Sequence, residues 1–280
     1  MAARKSFHSV EVWVTPDGVG HFELSRPKSS NALNEGLLKE IRPALAWLVE
    51  NGANAIVVSG HGRHFCAGID LSLLQSLGEP ASDPDAPCKG RDSQATYAKV
   101  LWLQDCMTAF EDVPVPTIAA VHGACIGAGV DLVTACDMRV ASKDAVFNVK
   151  EAALAIVADM GTLMRLPTIV GHGVATEMAL TARDVPAPEA LSLHLVSRVS
   201  EGTGRDAAVE TAESIAATVA AMSPLTIRNV KRTLLEQRNR SIDEGLRAVA
   251  LLNSSILPNA DVMEVFIAKV EGRSPKFSKL

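Results

Sequence analysis

The sequence predicts an α/β protein with a mostly parallel sheet, followed by an all-helical C-terminal region. Short apolar runs alternate with helical patterns up to about residue 205, in the order strand, turn, helix, strand that makes βαβ units. From Asp206 onward no strand pattern remains, so the chain divides into an α/β body (1–205) and a helical region (206–280).

Val10–Thr15 and His21–Leu24 flank Pro16-Asp17-Gly18 and read as a hairpin. Asn34 is placed to cap a helix with Leu37, Leu38, Ile41, Leu45 and Leu48 on one face, although Pro43 strains its middle. Ala55–Ser59 reads as a buried strand that Gly60-His61-Gly62 ends, and a helix begins near Asp70. Glu79–Asp92, with Pro80, Pro84, Pro87 and Gly90, reads as a mobile surface loop. A long helix over Ser93–Glu111 comes next, then a strand over Thr117–Val121 and a glycine turn. A helix over Gly129–Cys136 and a strand over Met138–Ala141 follow. Beyond the boundary, Glu210–Ala221 is an Ala-rich helix, and Ser223-Pro224 caps and opens a helix over Leu225–Gln237. Helices over Ile242–Leu257 and Ala260–Val270 complete the chain.

Composition narrows the function classes. Lys and Arg number 27 against 32 Asp and Glu, a net charge of −5, and aromatics are 4%. Neither a basic field for nucleic acid or anionic lipid nor a set of base-stacking platforms is implied. The segment Val113–Val130 has no charged residue, yet its prolines and glycines predict turns rather than a membrane span. Met1–Val10 carries Arg4, Lys5 and His8 without an apolar run behind them, so no secretory signal is expected. Five cysteines without a Cys-x-x-Cys pair suit a reducing compartment. The chain ends Ser278-Lys279-Leu280, a tripeptide that the peroxisomal import receptor reads as an address, in glycosomes as well; the plain alternative is a frayed tail.

Two turns each follow a strand and precede a helix: Phe65-Cys66-Ala67-Gly68-Ile69-Asp70 and the run from His122 to Gly129. Neither has the pattern of a phosphate or dinucleotide loop. Together they can aim two backbone N–H groups at one developing oxyanion. Three acids stand in apolar settings: Asp131 in Gly-Val-Asp-Leu-Val, Glu151 before Ala152–Ala158, and Asp159 after it. Carboxyls in such places have raised pKa values and move protons near neutrality. The plain alternatives are a helix N-terminus for Asp131, a solvated Lys150-Glu151 pair, and a helix cap at Asp159. His61, His64 and His122 lack metal-ligand spacing, Cys66 lacks a His–Asp partner set, and Asp137 and Arg139 read as pairing or capping residues.

Arg26-Pro27, Asn31-Ala32-Leu33, Phe65–Leu71, Pro116–Gly123, Gly127–Leu132, Ala135-Cys136-Asp137 and Ser223-Pro224-Leu225, in this order and spacing, resemble the enoyl-CoA hydratase/isomerase (crotonase) superfamily. Gly129–Val133, Val149-Lys150-Glu151 and Ala158–Pro167 are most similar to its dienoyl-CoA isomerase branch, where a third acid stands at position 159. The resemblance implies a spiral of ββα units with a helical trimerisation region, and conversion of 3,5-dienoyl-CoA to 2,4-dienoyl-CoA. It implies N–H donors at Ala67 and Ala128, proton removal from carbon 2 by Glu151, protonation at carbon 6 by Asp159, and tuning of Glu151 by Asp131. Substrate contacts are implied at Ala67, Gly68, Ile69, Asp70, Leu71 and Ala128. Neither metal nor other cofactor is expected, coenzyme A being part of the substrate. The expected partners are further copies of the chain, as a trimer or dimer of trimers, and the import receptor; nucleic acid and membrane are not expected. Ala128 departs from the usual Gly of the family, and suits the role only if its φ is negative. A 2-enoyl-CoA hydratase and a non-catalytic acyl-CoA or RNA binder are the alternatives.

Overall fold

A computed structural model describes residues 3–77, 79–82, 84, 87–257, 259–278 and 280; Lys279 of the expected import tripeptide lies outside the described residues. The elements in chain order are β1 (Ala3–Ser6), β2 (Val10–Val14), β3 (Val19–Leu24), α1 (Glu35–Glu50), β4 (Ala55–Gly60), α2 (Leu71–Leu77), α3 (Lys89–Asp112) and β5 (Thr117–Val121). Next come β6 (Ala124–Ile126), α4 (Ala128–Ala135), β7 (Met138–Ala141), β8 (Val146–Asn148), α5 (Thr162–Val170), α6 (His172–Thr181), β9 (Val185–Pro186), α7 (Ala187–Ser192) and β10 (Arg198–Val199). The helices α8 (Gly204–Ala220), α9 (Pro224–Gln237), α10 (Ile242–Ile256) and α11 (Ala260–Glu271) end the chain.

A seven-stranded sheet runs β1-β2-β3-β4-β5-β7-β10, antiparallel through the β1–β3 hairpins and parallel from β3 onward. A smaller sheet runs β6-β8-β9. Successive units β5–β6 and β7–β8 each give one strand to each sheet, and β4 is followed by a bridge from Cys66 to Cys125 beside β6. That repetition is the spiral of ββα units expected from the sequence.

Strand alternation puts a core on both faces of the large sheet. Ile56, Val58, Ala119 and Val121 face a core shared with Leu37, Leu38, Ile41, Leu45 and Leu48 of α1 and with Leu103, Met107 and Phe110 of α3. Val57, Ile118, Ala120 and Val140 face α8, whose Ala208, Ala212, Ala216 and Ala220 form a small-residue stripe that lets the helix lie close to the strands. The helix that follows residue 205 is thus part of the sheet packing. Burying each large side chain contributes roughly 1.5–3 kcal/mol, which offsets the cost of about 3 kcal/mol for Pro43 inside α1. The Asn34 side chain accepts from Leu37 N–H at 2.9 Å, the cap its position promised. Farther along, α9 is pinned to the body by Lys231, buried and 2.8 Å from Asp137, with further bonds to the carbonyls of Phe110 and Val115.

Two sequence expectations move. The long helix begins at Lys89, four residues before Ser93, inside the segment read as loop. The helix after Asp159 starts at Thr162 with Gly161 as its N-cap, so Asp159 does not cap it.

Candidate active site

Arg26 and Asn31 tie the segment before α1 to the first glycine turn. Asn31 is buried, and its side-chain amide donates to the carbonyls of His61 and His64 at 2.9 Å each, while its Oδ1 accepts from Arg26 N–H. Arg26 pairs with Asp70 at 3.1 Å. The Asp70 carboxylate also accepts from the Ser72 hydroxyl and N–H at the start of α2, and these bonds, with Arg26, hold it below the usual carboxylate range. Asp70 thus locks the first turn in place.

The two glycine turns are zipped together. Cys66 N–H donates to Ala124 O and Ile126 N–H to Cys66 O. Gly68 has φ +99 and a Cβ there would sit 3.0 Å from Ile126 O, so no other residue fits without displacing the second turn. Gly127 has φ +51 and a Cβ would stand 3.2 Å from Glu151 Oε1. Ala128, the first residue of α4, is not among the residues with positive φ, which meets the condition for a donor at that position.

The first donor is corrected. Ala67 N–H is already bonded to Ser30 O at 2.9 Å and is not available to a substrate carbonyl. Along the same extended segment Leu33 N–H donates to Gly68 O and Asp70 N–H donates to Leu33 O. Backbone groups alternate in direction along such a segment, so the Ile69 N–H between them faces the opposite side, the side of the cavity that Ile69 lines. The N–H groups of Ile69 and Ala128 have no hydrogen-bond acceptor among the described residues. Ile69 therefore replaces Ala67 as the partner of Ala128.

Both donors open on a cavity of about 830 Å³, which Ala67, Gly68, Ile69, Asp70, Leu71 and Ala128 line together with Asp131, Glu151 and Asp159. Its other walls are mostly apolar, among them Leu74, Val100, Leu103, Ile156 and Met160. The sequence placed these three acids 28 residues apart at most, and the fold brings all of them to one chamber.

Each acid has its own environment. Asp131 is buried in the first turn of α4, and its Oδ1 accepts from Thr162 N–H at 2.6 Å, tying α4 to the start of α5. Burial pushes its pKa up to about 6 against the opposing Thr162 bond. Glu151 opens a 3₁₀ turn (Glu151–Leu154), and its buried Oε2 has no hydrogen-bond partner among the described residues. Burial first, then the negative charge of Asp131, pushes Glu151 up to about 7. Asp159 is more exposed, and partial burial raises its pKa as well. A carboxyl near 7 is matched to exchanging protons at neutral pH.

The set-aside residues have other employment. His122 Nε2 lies 3.0 Å from Gly62 O, and His64 Nδ1 accepts from Ala124 N–H. Burial pushes the Cys66 thiol up to about 12, which removes it as a nucleophile at neutral pH. Asp137 accepts from Thr117 N–H and hydroxyl, and Arg139 donates to the carbonyls of Cys136 and Leu195. Sequence reasoning missed Gln104, whose side chain donates to Asp159 O at 2.7 Å, and Arg165, which joins α5 to Glu111 at 2.9 Å. Polar residues on a long helix carry no signal of which loop they will meet.

Comparison with known proteins gives the family and the fold. The family model for enoyl-CoA hydratase/isomerase matches residues 15–279. A peroxisomal Delta(3,5)-Delta(2,4)-dienoyl-CoA isomerase of Arabidopsis thaliana is 44% identical over 268 residues, 95% of this chain and 95% of that one. A mitochondrial protein of the same name from Mus musculus is 37% identical, over 98% of this chain and 84% of its own. Among solved structures, an enoyl-CoA hydratase from Bacillus anthracis has a TM-score of 0.83 at 28% identity, covering 96% of this chain and 99% of that one.

Proposed function

The chain belongs to the enoyl-CoA hydratase/isomerase family, and from that premise we propose that it isomerises 3,5-dienoyl-CoA to 2,4-dienoyl-CoA. The observation that carries this reading is the third acid: Asp159 stands on the same apolar cavity as Glu151 and Asp131. In the reaction the thioester oxygen accepts from the N–H groups of Ile69 and Ala128, each contributing on the order of 3 kcal/mol to the dienolate-like transition state. Glu151 removes a proton from carbon 2. The electron pair delocalises over the diene, and carbon 6 takes a proton from Asp159. No atom is gained or lost, and Glu151 and Asp159 return to their starting states by exchanging protons with solvent. Asp131 adds like-charge repulsion to the burial that raises the Glu151 pKa, and it fixes the start of α5. The step transfers protons alone, so we assign no metal or redox cofactor; coenzyme A arrives with the substrate.

The same reading extends to assembly and location. Large apolar side chains of α9–α11, among them Leu234, Ile242, Leu246, Leu251 and Phe266, are exposed in the single chain and suit a trimer or a dimer of trimers. The Arabidopsis relative is named as peroxisomal and Ser278 and Leu280 are exposed, which supports import into peroxisomes through Ser278-Lys279-Leu280.

An ultraviolet assay of 3,5-dienoyl-CoA beside a 2-enoyl-CoA tests the activity. Conversion of the diene is expected. Hydration of the 2-enoyl-CoA without any shift of the diene would return the chain to the hydratase reading.

A further inference from the structure

Asp159 is held by neither helix nor strand. Its segment leaves the 3₁₀ turn at Ala155, in the left-handed region with φ +59, and enters α5 at Gly161, with φ +128. Ala158 and Met160, on either side of Asp159, are buried in the core, and two side-chain tethers from α3 and α4 reach this stretch as well. One is the Asp131 carboxylate on Thr162 N–H; the other comes from α3. On α3, Gln104, Thr108 and Glu111 are spaced i, i+4 and i+7 and so share a face. Gln104 Nε2 donates to the Asp159 carbonyl at 2.7 Å, while Thr108 Oγ1 and Glu111 Oε2 accept from Arg165 at 3.0 and 2.9 Å. The neighbouring side of α3, about 100° round the helix, is anchored in the core through Leu103, Met107 and Phe110. A rigid helix therefore sets the height of an otherwise irregular segment.

The Asp159 carboxyl has two places to face. One is the apolar cavity that it shares with Glu151. The other is a cavity of about 610 Å³ that Asp159 also lines, with Met160 and Met164 among its walls and Gln104, Glu111, Arg165 and Arg238 as its polar groups. There two guanidinium groups, Arg165 and Arg238, share the single carboxylate of Glu111 at 2.9 and 3.1 Å, so an ionised carboxyl turned that way meets a net positive charge that the apolar cavity does not offer. We propose that Gln104 is a positioning residue for the step at carbon 6: its bond to the Asp159 carbonyl keeps the carboxyl aimed at the substrate. The bond reaches the main chain, so Gln104 governs aim and leaves the charge of the acid alone. A misplacement of about 1 Å is enough to cost on the order of 10²-fold in such a transfer. The assignment rests on the isomerase reading.

The test is Gln104→Leu in the full chain, with Gln104→Glu as a second variant that keeps size and polarity but, ionised, offers no donor. Both are expected to lose about 10- to 100-fold in isomerase kcat, with KM little changed. Deuterium exchange at carbon 2, which uses Glu151 and the two N–H donors, should fall less than about threefold. The double variant Gln104→Leu/Asp159→Asn should be no slower than Asp159→Asn alone, because the two act through one group. Parent-like turnover in a folded variant, losses that multiply in the double variant, or parallel loss of carbon-2 exchange would each overturn the assignment. A failure of the underlying reading looks different: the unsubstituted chain then does not shift the diene at all.

Discussion

Glu151 keeps one carboxylate oxygen buried without a partner among the described residues, so its charged form is costly in the folded state. A raised carboxyl pKa means that the folded chain binds the proton more tightly than the unfolded one. The cost is absent below the unfolded value near 4.3 and grows until the pH passes about 7, so stability falls across that window. Glu151→Gln is expected to be inactive, yet more stable than the parent by roughly 1–3 kcal/mol above pH 7, and nearly equal to it below pH 4. Urea denaturation at the two pH values checks both signs. Asp159→Asn should lose roughly 10²–10⁴-fold in isomerase turnover, the usual contribution of a positioned general acid, and retain deuterium uptake at carbon 2. Near-normal turnover would remove Asp159 from the mechanism. At this scale the acids were legible, because a carboxyl set among Val, Leu and Ala is conspicuous in the chain itself. The Ile69 donor was not: residue letters do not record which way a peptide N–H points, and the neighbouring Ala67 became distinguishable from it once the Ser30 carbonyl was seen to engage it.

Elements bring these residues together, and the joint between the two turns is the one to disturb. Gly68→Ala places a methyl 3.0 Å from Ile126 O at φ +99, which strains the first turn or pushes it off the second. A loss of at least about tenfold in turnover and about 1–3 kcal/mol in stability is expected. Ala128→Gly is the contrasting change: the backbone there is helical, so it should cost about 1 kcal/mol or less and keep the donor. Thermal unfolding and turnover on the two variants separate a bent joint from a lost donor. Elements of four or more residues with a clear period were readable from the chain, among them α1, β5 and β7. The strands β6, β8, β9 and β10 have two or three residues each, too few to show alternation, and they owe their existence to neighbours already in place. The first turn of α3 carries no apolar period either, since Lys89, Gly90 and Arg91 are exposed and Asp92 is half-buried and bonded to Ser82.

The whole molecule leaves Ile242, Leu251 and Val270 at 77%, 74% and 89% exposure, a surface that one chain does not cover by itself. Light scattering is expected to give about three or six times the 29.6 kDa of one chain; a monomer at micromolar concentration would refute this. Deleting Ser278-Lys279-Leu280 should leave folding and activity intact and make the protein cytosolic; continued import would refute the address. The helical character of the chain beyond Asp206 was legible, but α8 packs on the large sheet because its alanine stripe fits strands whose inward faces no local pattern reveals. The cysteines give the molecule an unplanned use. Cys66, Cys106, Cys125 and Cys136 are buried, with thiols pushed up to about 12, about 11, well above the usual range and about 12 respectively, while Cys88 is half-buried at the head of α3. At pH 7 about one Cys66 thiol in 10⁵ is ionised. An alkylating reagent should therefore mark Cys88 in the native state and reach the others when the walls of the chamber part. Two of them, Cys66 and Cys125, lie on the seam between the glycine turns, so a timed pulse of reagent, read by mass, would clock how often that seam breathes open without any dye or label being built into the chain.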